Sequence, residues 1–240
     1  MWSQLKAISV HGDPVTGKAN NTFRFYFENV DGFVVPDGNI NKKHKNKYKQ
    51  KYLSLLLSCL EVDMFGGVES RLQFDMLPQS KGLNRQLGLH EGSKCRTSHN
   101  VHERFGRCQQ GGTFIAATEA AGSFVTATGA DTEGLGRWSW MKLVGETITT
   151  RVIIAYQPCR TRKVAIQATM AQQRRYWKLQ GNRQCPRKLF RQHLVEQLTE
   201  WRNDNEKLIL MLDNNENMAS GPLSRLLRGP ELAMVDDIHL

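Results

Sequence analysis

Strands interleaved with long helices, with no internal repeat and no low-complexity linker, predict one layered domain of the α/β or α+β class. Three observations carry this prediction. Lys207 to Asn217, KLILMLDNNEN, holds an unbroken apolar run, Leu208 to Leu212, that ends in polar turn formers, as a strand buried on both faces would. Thr22 to Val30, TFRFYFENV, alternates, placing Phe23, Phe25 and Phe27 on one face and Arg24 and Tyr26 on the other. Ala168 to Leu179 and Pro186 to Trp201 carry apolar residues at helical spacing, and a chain of 240 residues that is 40% hydrophobic can bury a substantial core.

Taken in order, residues 1–21 read as a loose, polar, Gly/Pro-punctuated leader, and residues 22–240 as the domain. The strand TFRFYFENV ends in Asn29-Val30-Asp31-Gly32, so polar groups follow it directly. Asn39 to Leu60 reads as a helix whose first half carries six lysines, Lys42, Lys43 and Lys45 among them. Its second half spaces Leu53, Leu56, Leu57 and Leu60 for burial. A second strand, Glu61 to Glu69, ends in a carboxylate.

Arg71 to Gln110 shows no clear period and is expected to be a basic surface loop. Cys95, His99, His102 and Cys108 lie within it, but their spacing matches no paired zinc knuckle. Gly111 to Thr118 and Ser123 to Thr128 are β-prone. Arg137 to Val144 and Thr147 to Tyr156 flank Gly145-Glu146 as a hairpin. Trp138 and Trp140 share one face and read as core. Pro186 opens the second helix at a position where its missing N–H costs nothing. Phe190, Leu194, Leu198 and Trp201 form that helix's apolar stripe. A short helical stretch near Met218 to Arg228 follows the last strand, and the chain ends in VDDIHL.

The formal net charge of +10 (33 Lys+Arg against 23 Asp+Glu) favours a polyanionic partner without choosing among DNA, RNA and phosphoinositide surfaces. Five scattered cysteines are not a disulfide framework and suggest a reducing compartment. No apolar run is long enough to span a bilayer, and the N-terminus lacks the apolar core of a secretory signal. The expectation is a soluble intracellular monomer with no membrane partner, with the nucleus kept as an option.

Four strand ends carry compatible groups: Asn29 with Asp31, Glu69, Tyr156, and Asp213 with Asn215. Carboxylates suit a hard cation, and one or two suffice for magnesium when phosphate and water complete its octahedron. Phosphodiester hydrolysis also needs a group that orients or deprotonates water and donors for the phosphate oxygens. Glu69 suits the metal, Asp213 the water, and Asn29, Asn215 and Tyr156 the phosphate.

An NVDG after a strand, a strand ending in Glu, one ending in Tyr-x-Pro and one running into D-x-N occur here in that order. Together they resemble the endonuclease/exonuclease/phosphatase superfamily over roughly Phe23 to Asp237. The blocks GGT, GLGRWSW and AYQPCR look most like its retroelement-associated or uncharacterised eukaryotic members. The resemblance implies a four-layer αββα sandwich, two mixed sheets with helices outside, and a magnesium or manganese cofactor. It implies that Glu69 binds the metal with Asn29 and Asp31 beside it, and that Tyr156 contacts the scissile phosphate. Asp213 would position or activate water, and Asn215 would contact the phosphate and orient Asp213.

The pattern departs from the family at Leu212, Asn214 and Ser70, which stand where Gly, Phe and Thr are usual. The family's closing Ser-Asp-His segment is absent from these 240 residues, and Asp236-Asp237-Ile238-His239 does not replace it. The expectation is therefore a domain incomplete at its C-terminus, with its last strands missing and little or no hydrolytic activity of its own. The leading reading is a metal-dependent DNA endonuclease, with RNA kept as an alternative and Lys42, Lys43, Lys45 and Arg137 as nucleic-acid contacts. A phosphatase on a small phosphorylated molecule and a non-catalytic nucleic-acid-binding remnant are the other two.

Overall fold

The computed structural model describes residues 17–33, 44–78, 82–103, 105, 109–160, 165–217 and 219–235. Two four-stranded mixed sheets pack face to face, with helices on both outer surfaces. The first sheet is ordered β1-β2-β4-β3, from β1 (Phe25–Asn29), β2 (Met64–Val68), β3 (Lys94–Ser98) and β4 (Thr113–Ala117). The second is ordered β5-β6-β7-β8, from β5 (Val125–Ala130), β6 (Trp138–Val144), β7 (Thr149–Tyr156) and β8 (Lys207–Asp213). Each sheet has one parallel pair, β1 with β2 and β7 with β8, and its other pairs are antiparallel.

The layers follow from side-chain alternation. Along β7, Val152, Ile154 and Tyr156 join the cluster between the sheets, while Ile153 and Ala155 turn outward to the helices. Along β8, Ile209 and Met211 face inward, and Leu208, Leu210 and Leu212 face outward. Phe25 and Phe27 of β1 face inward while Tyr26 packs outward. At Gly66 the sheets approach so closely that a Cβ would lie 2.1 Å from Ile154 Cδ1. Only glycine fits there.

Helix α1 (His44–Cys59) covers the first sheet by burying Leu53, Leu56 and Leu57 against Phe65 and Phe114, with α2 (Leu83–Leu87) beside it. A four-residue α3 (Glu119–Gly122) joins β4 to β5. Helix α4 (Thr169–Leu179) packs by Trp177 against Leu189. Helix α5 (Pro186–Asn203) and α6 (Pro222–Leu227) cover the second sheet. Phe190, Leu194, Leu198 and Trp201 of α5 are all buried, as the stripe required.

Several expectations need correction. Arg71 to Gln110 is not merely a loop: it contributes a 3-10 turn (Phe74–Met76), α2 and β3, and β3 pairs along its whole length with β4. Strand β8 packs on apolar clusters by both faces but is only half-buried, because among the described residues it pairs on one side only, with β7. The leader is not wholly loose, since Lys18 Nζ reaches Asp63 at 2.6 Å. Residues 1–16 and the VDDIHL ending, apart from Val235, lie outside the described residues. Among the described residues, no helix is long and apolar enough to cross a membrane.

Candidate active site

Strand alternation delivers the site. The parity that points Phe25 and Phe27 between the sheets continues to Asn29. The same parity runs Val152, Ile154, Tyr156 in β7 and Ile209, Met211, Asp213 in β8. Because β7 and β8 are parallel with Tyr156 opposite Asp213, both side chains emerge at one end of the second sheet. Asn29 is opposite Val68 in the parallel β1–β2 pair, so Glu69 follows at the matching end of the first sheet. One rim of the sandwich thus collects groups from four strands.

Two hydrogen bonds cross between the sheets there. Asn29 Nδ2 donates to Asp213 Oδ2 at 2.9 Å, and the Tyr156 hydroxyl donates to Glu69 Oε1 at 2.8 Å. Asp213 also receives the Asn215 backbone N–H at 3.3 Å, so its two oxygens are held from opposite sides. Burial raises the Asp213 pKa, and the Glu69 charge raises it further, while the Asn29 and Asn215 donors pull it back down. Burial likewise pushes the Tyr156 phenol upward, with the Glu69 charge adding to it, so Tyr156 stays a neutral donor across physiological pH.

The loops behind these side chains are strained in a shared way. Asp31, Glu69, Arg71 and Asn215 all have positive φ, at 43°, 54°, 55° and 48°. Non-glycine residues rarely adopt this region unless the surroundings force it. Here the forcing contacts are visible. Gly32 N–H donates to Glu69 O at 2.8 Å and Phe33 N–H to Ser70 O at 2.9 Å, zipping the loop after β1 to the loop after β2. Asn215 Nδ2 donates to Gln157 O at 2.8 Å, and Gln157 N–H to Asp213 O at 2.9 Å, binding the ends of β7 and β8 together.

Three residues that sequence reasoning did not single out complete the rim. Arg187 of α5 is 2% exposed and reaches Pro158 O at 2.6 Å, Asn215 O at 3.2 Å and Glu216 Oε2 at 3.0 Å. Glu216 also accepts the Leu223 N–H at 2.8 Å and the Gln157 side-chain amide at 3.2 Å. This buried pair fastens the D-x-N turn to α5 and α6. Burial is the largest influence on the Arg187 pKa and lowers it. The third is Arg71, whose Nη2 pairs with both Asp31 Oδ1 and Glu69 Oε2. Glu216 was visible within DNNEN; Arg187 had no local signature because its partners lie about thirty residues away, and Arg71 because its link to Asp31 spans two loops although Glu69 is only two residues before it.

The residues suit a magnesium-class ion. Asp31 and Glu69 converge on one cationic nitrogen, and their donors are hard oxygens. Among the described residues no three or more His, Cys, Asp or Glu are clustered as a metal cage. Asn29 stands beside this pair, with its Oδ1 accepting the Asp31 N–H at 3.0 Å.

The expected nucleic-acid contacts fare differently. Arg137 is 1% exposed: its guanidinium is paired with Asp131 at 2.6 Å and stacked on Trp138 at 4.3 Å. It is a structural cation and cannot reach a phosphate backbone. Lys42 and Lys43 lie outside the described residues, and Lys45 lies in the first turn of α1. His99 pairs with Asp75 at 3.0 Å, and His102 stacks on Tyr176 at 4.3 Å between centroids; Cys108 lies outside the described residues.

Comparison with solved structures supplies the fold. A mannosyl-6-phosphatase from Bacteroides thetaiotaomicron superposes with a TM-score of 0.53 at 12% identity, over 85% of this chain and 69% of that one. An endonuclease/exonuclease/phosphatase family protein from the same organism gives 0.51 at 13% identity, over 85% and 66%. The human Nocturnin catalytic domain gives 0.49 at 12% identity, over 76% and 62%. The chain thus spans under two thirds of the Nocturnin domain, and 58% of an Archaeoglobus fulgidus AP endonuclease. No protein-family model and no curated protein matches it. The chain has the endonuclease/exonuclease/phosphatase fold.

Proposed function

We propose that the protein is a divalent-metal-dependent phosphodiesterase whose preferred substrate is DNA. The observation that carries this reading is the pair of bridges across the rim, Tyr156 to Glu69 and Asn29 to Asp213. They hold the Glu69 and Asp213 carboxylates at one rim, an arrangement that phosphoryl transfer to water would use.

Glu69 and Asp31, with the Asn29 amide oxygen, would hold the ion. When bound, a magnesium or manganese ion would polarise the phosphate and offset charge developing on its oxygens. Asp213 takes the proton of the attacking water. Its raised pKa brings it nearer the working pH than an ordinary aspartate, while Asn29 and the Asn215 N–H keep it oriented. Tyr156 donates its hydroxyl proton to an oxygen, Glu69 Oε1 in this structure and a phosphate oxygen once substrate is seated. Arg187 fixes the turn that carries Asn215.

A polymeric substrate is favoured by the net charge of +10, which raises the local concentration of a polyanion. Incubation of excess protein with supercoiled plasmid and magnesium, beside a sugar phosphate as competing substrate, separates the readings. Magnesium-dependent nicking without phosphate release supports the nuclease. Phosphate release without nicking moves the assignment to a small-molecule phosphatase, and DNA binding with neither leaves a binding remnant.

A further inference from the structure

Arg71 is held where a mobile surface arginine would not be. Its backbone N–H donates to Gly111 O at 3.0 Å, and its carbonyl accepts the Gln109 N–H at 2.9 Å. Its stem runs across Gly32, where an added Cβ would lie 3.1 Å from Arg71 Cδ. Gly32 has φ +90°, so glycine is required there for its backbone as well.

This seating aims one nitrogen, Nη2, between Asp31 Oδ1 and Glu69 Oε2, the latter at 3.2 Å. Nη2 reaches both carboxylates, and the Arg71 Nε is buried with no hydrogen-bond partner. Asp31 is largely exposed and the Arg71 side chain is 37% exposed, so water screens the bridge and weakens its hold.

We infer that Arg71 is a tethered competitor for the divalent cation: its guanidinium neutralises the Asp31–Glu69 pair and must swing aside before an ion can take the same oxygens. The inference rests on the proposed cation site at Asp31 and Glu69. A tethered cation keeps two carboxylates together that would otherwise repel, and it weakens the site for a free ion. Swung aside, the guanidinium stays at the rim and can take a phosphate oxygen, so phosphate and ion should help each other bind.

The test is a manganese titration of the 240-residue protein, following free Mn²⁺ by electron paramagnetic resonance at fixed ionic strength. It compares the wild type with Arg71→Met, Arg71→Lys and Arg71→Met/Glu69→Gln, each checked for native circular dichroism. Competition predicts that Arg71→Met binds manganese about three- to thirtyfold tighter, the range set by losing one or two partly exposed ion pairs. Arg71→Lys should stay near the wild type, and the double variant should lose the gain. Equal or weaker binding by a folded Arg71→Met overturns the competition while leaving the cation site in place. Absence of binding by both proteins at millimolar manganese overturns the site and the competition together.

Discussion

Asp213 shows how a single side chain links catalysis to stability in this fold. Its pKa is raised chiefly by burial and then by Glu69, so folding favours its protonated form. The sign of the linkage follows. The carboxyl adds no cost below the pKa of an unfolded aspartate, about 3.9. It destabilises the native state increasingly as pH rises through its higher folded value. Asp213→Asn should therefore leave the melting temperature at pH 7 equal to or above that of the wild type. Any advantage should fade in acid, where both side chains are neutral. The same substitution should lower the cleavage rate by about 10²–10⁴-fold, the range for loss of a general base. Melting curves at pH 4 and pH 7 check the first part and single-turnover cleavage the second. A variant that melts below the wild type at pH 7 but not at pH 4 would reverse the assigned sign.

Among the elements, α5 carries the clearest structural consequence. Arg187 and Arg191 are one turn apart on it and both reach Glu216, at 3.0 and 3.4 Å. Arg187→Met removes the buried partner of Glu216 and two backbone contacts, and should cost about 3–5 kcal/mol, the range for breaking a buried pair. Urea denaturation measures it, and a loss below about 1 kcal/mol would show that the pair does not hold the turn.

The elements also show what the sequence could reveal. β1, β7 and β8 were legible because apolar alternation or a short apolar run announces a strand. The residues at their C-terminal ends, Asn29, Tyr156 and Asp213, therefore came with them. β3 was not legible: KCRTS lacks an apolar face, and its pairing is imposed by β4 rather than by its own residues. α2 has only five residues, too few for a helical period to register. Arg137 was misjudged because a cation in a basic chain reads as surface. Its burial depends on Asp131, six residues earlier, whose carboxylate also accepts the backbone N–H groups of Leu135 and Arg137, both at 3.2 Å. Arg71 escaped notice because Asp31 reaches it only once the loop after β1 closes on the loop after β2, and Arg187 because the ends of β7 and β8 meet it only when α5 packs on them.

For the molecule as a whole, a net charge of +10 sets the expected mode of polymer binding. Binding of duplex DNA should weaken steeply with salt, since each neutralised phosphate contributes about 0.9 to the slope of log K against log salt. Substituting Lys42, Lys43 and Lys45 together by alanine should lower that slope by about 2–3 if all three lie on phosphates. Fluorescence anisotropy across a salt series measures the slope, and an unchanged slope would remove these lysines from the interface. Arg137, being buried, should contribute to folding rather than to the slope.

The central claim is that Glu69 and Asp213, delivered from different sheets, act as one catalytic unit on a phosphodiester. Its most direct test is single-turnover cleavage of supercoiled plasmid with magnesium by the wild type, Glu69→Gln, Asp213→Asn and the double variant. Groups that work as a unit are non-additive: each single substitution should abolish most of the magnesium-dependent cleavage, and the double variant should lose little more. Either single variant cleaving at the wild-type rate would contradict the account.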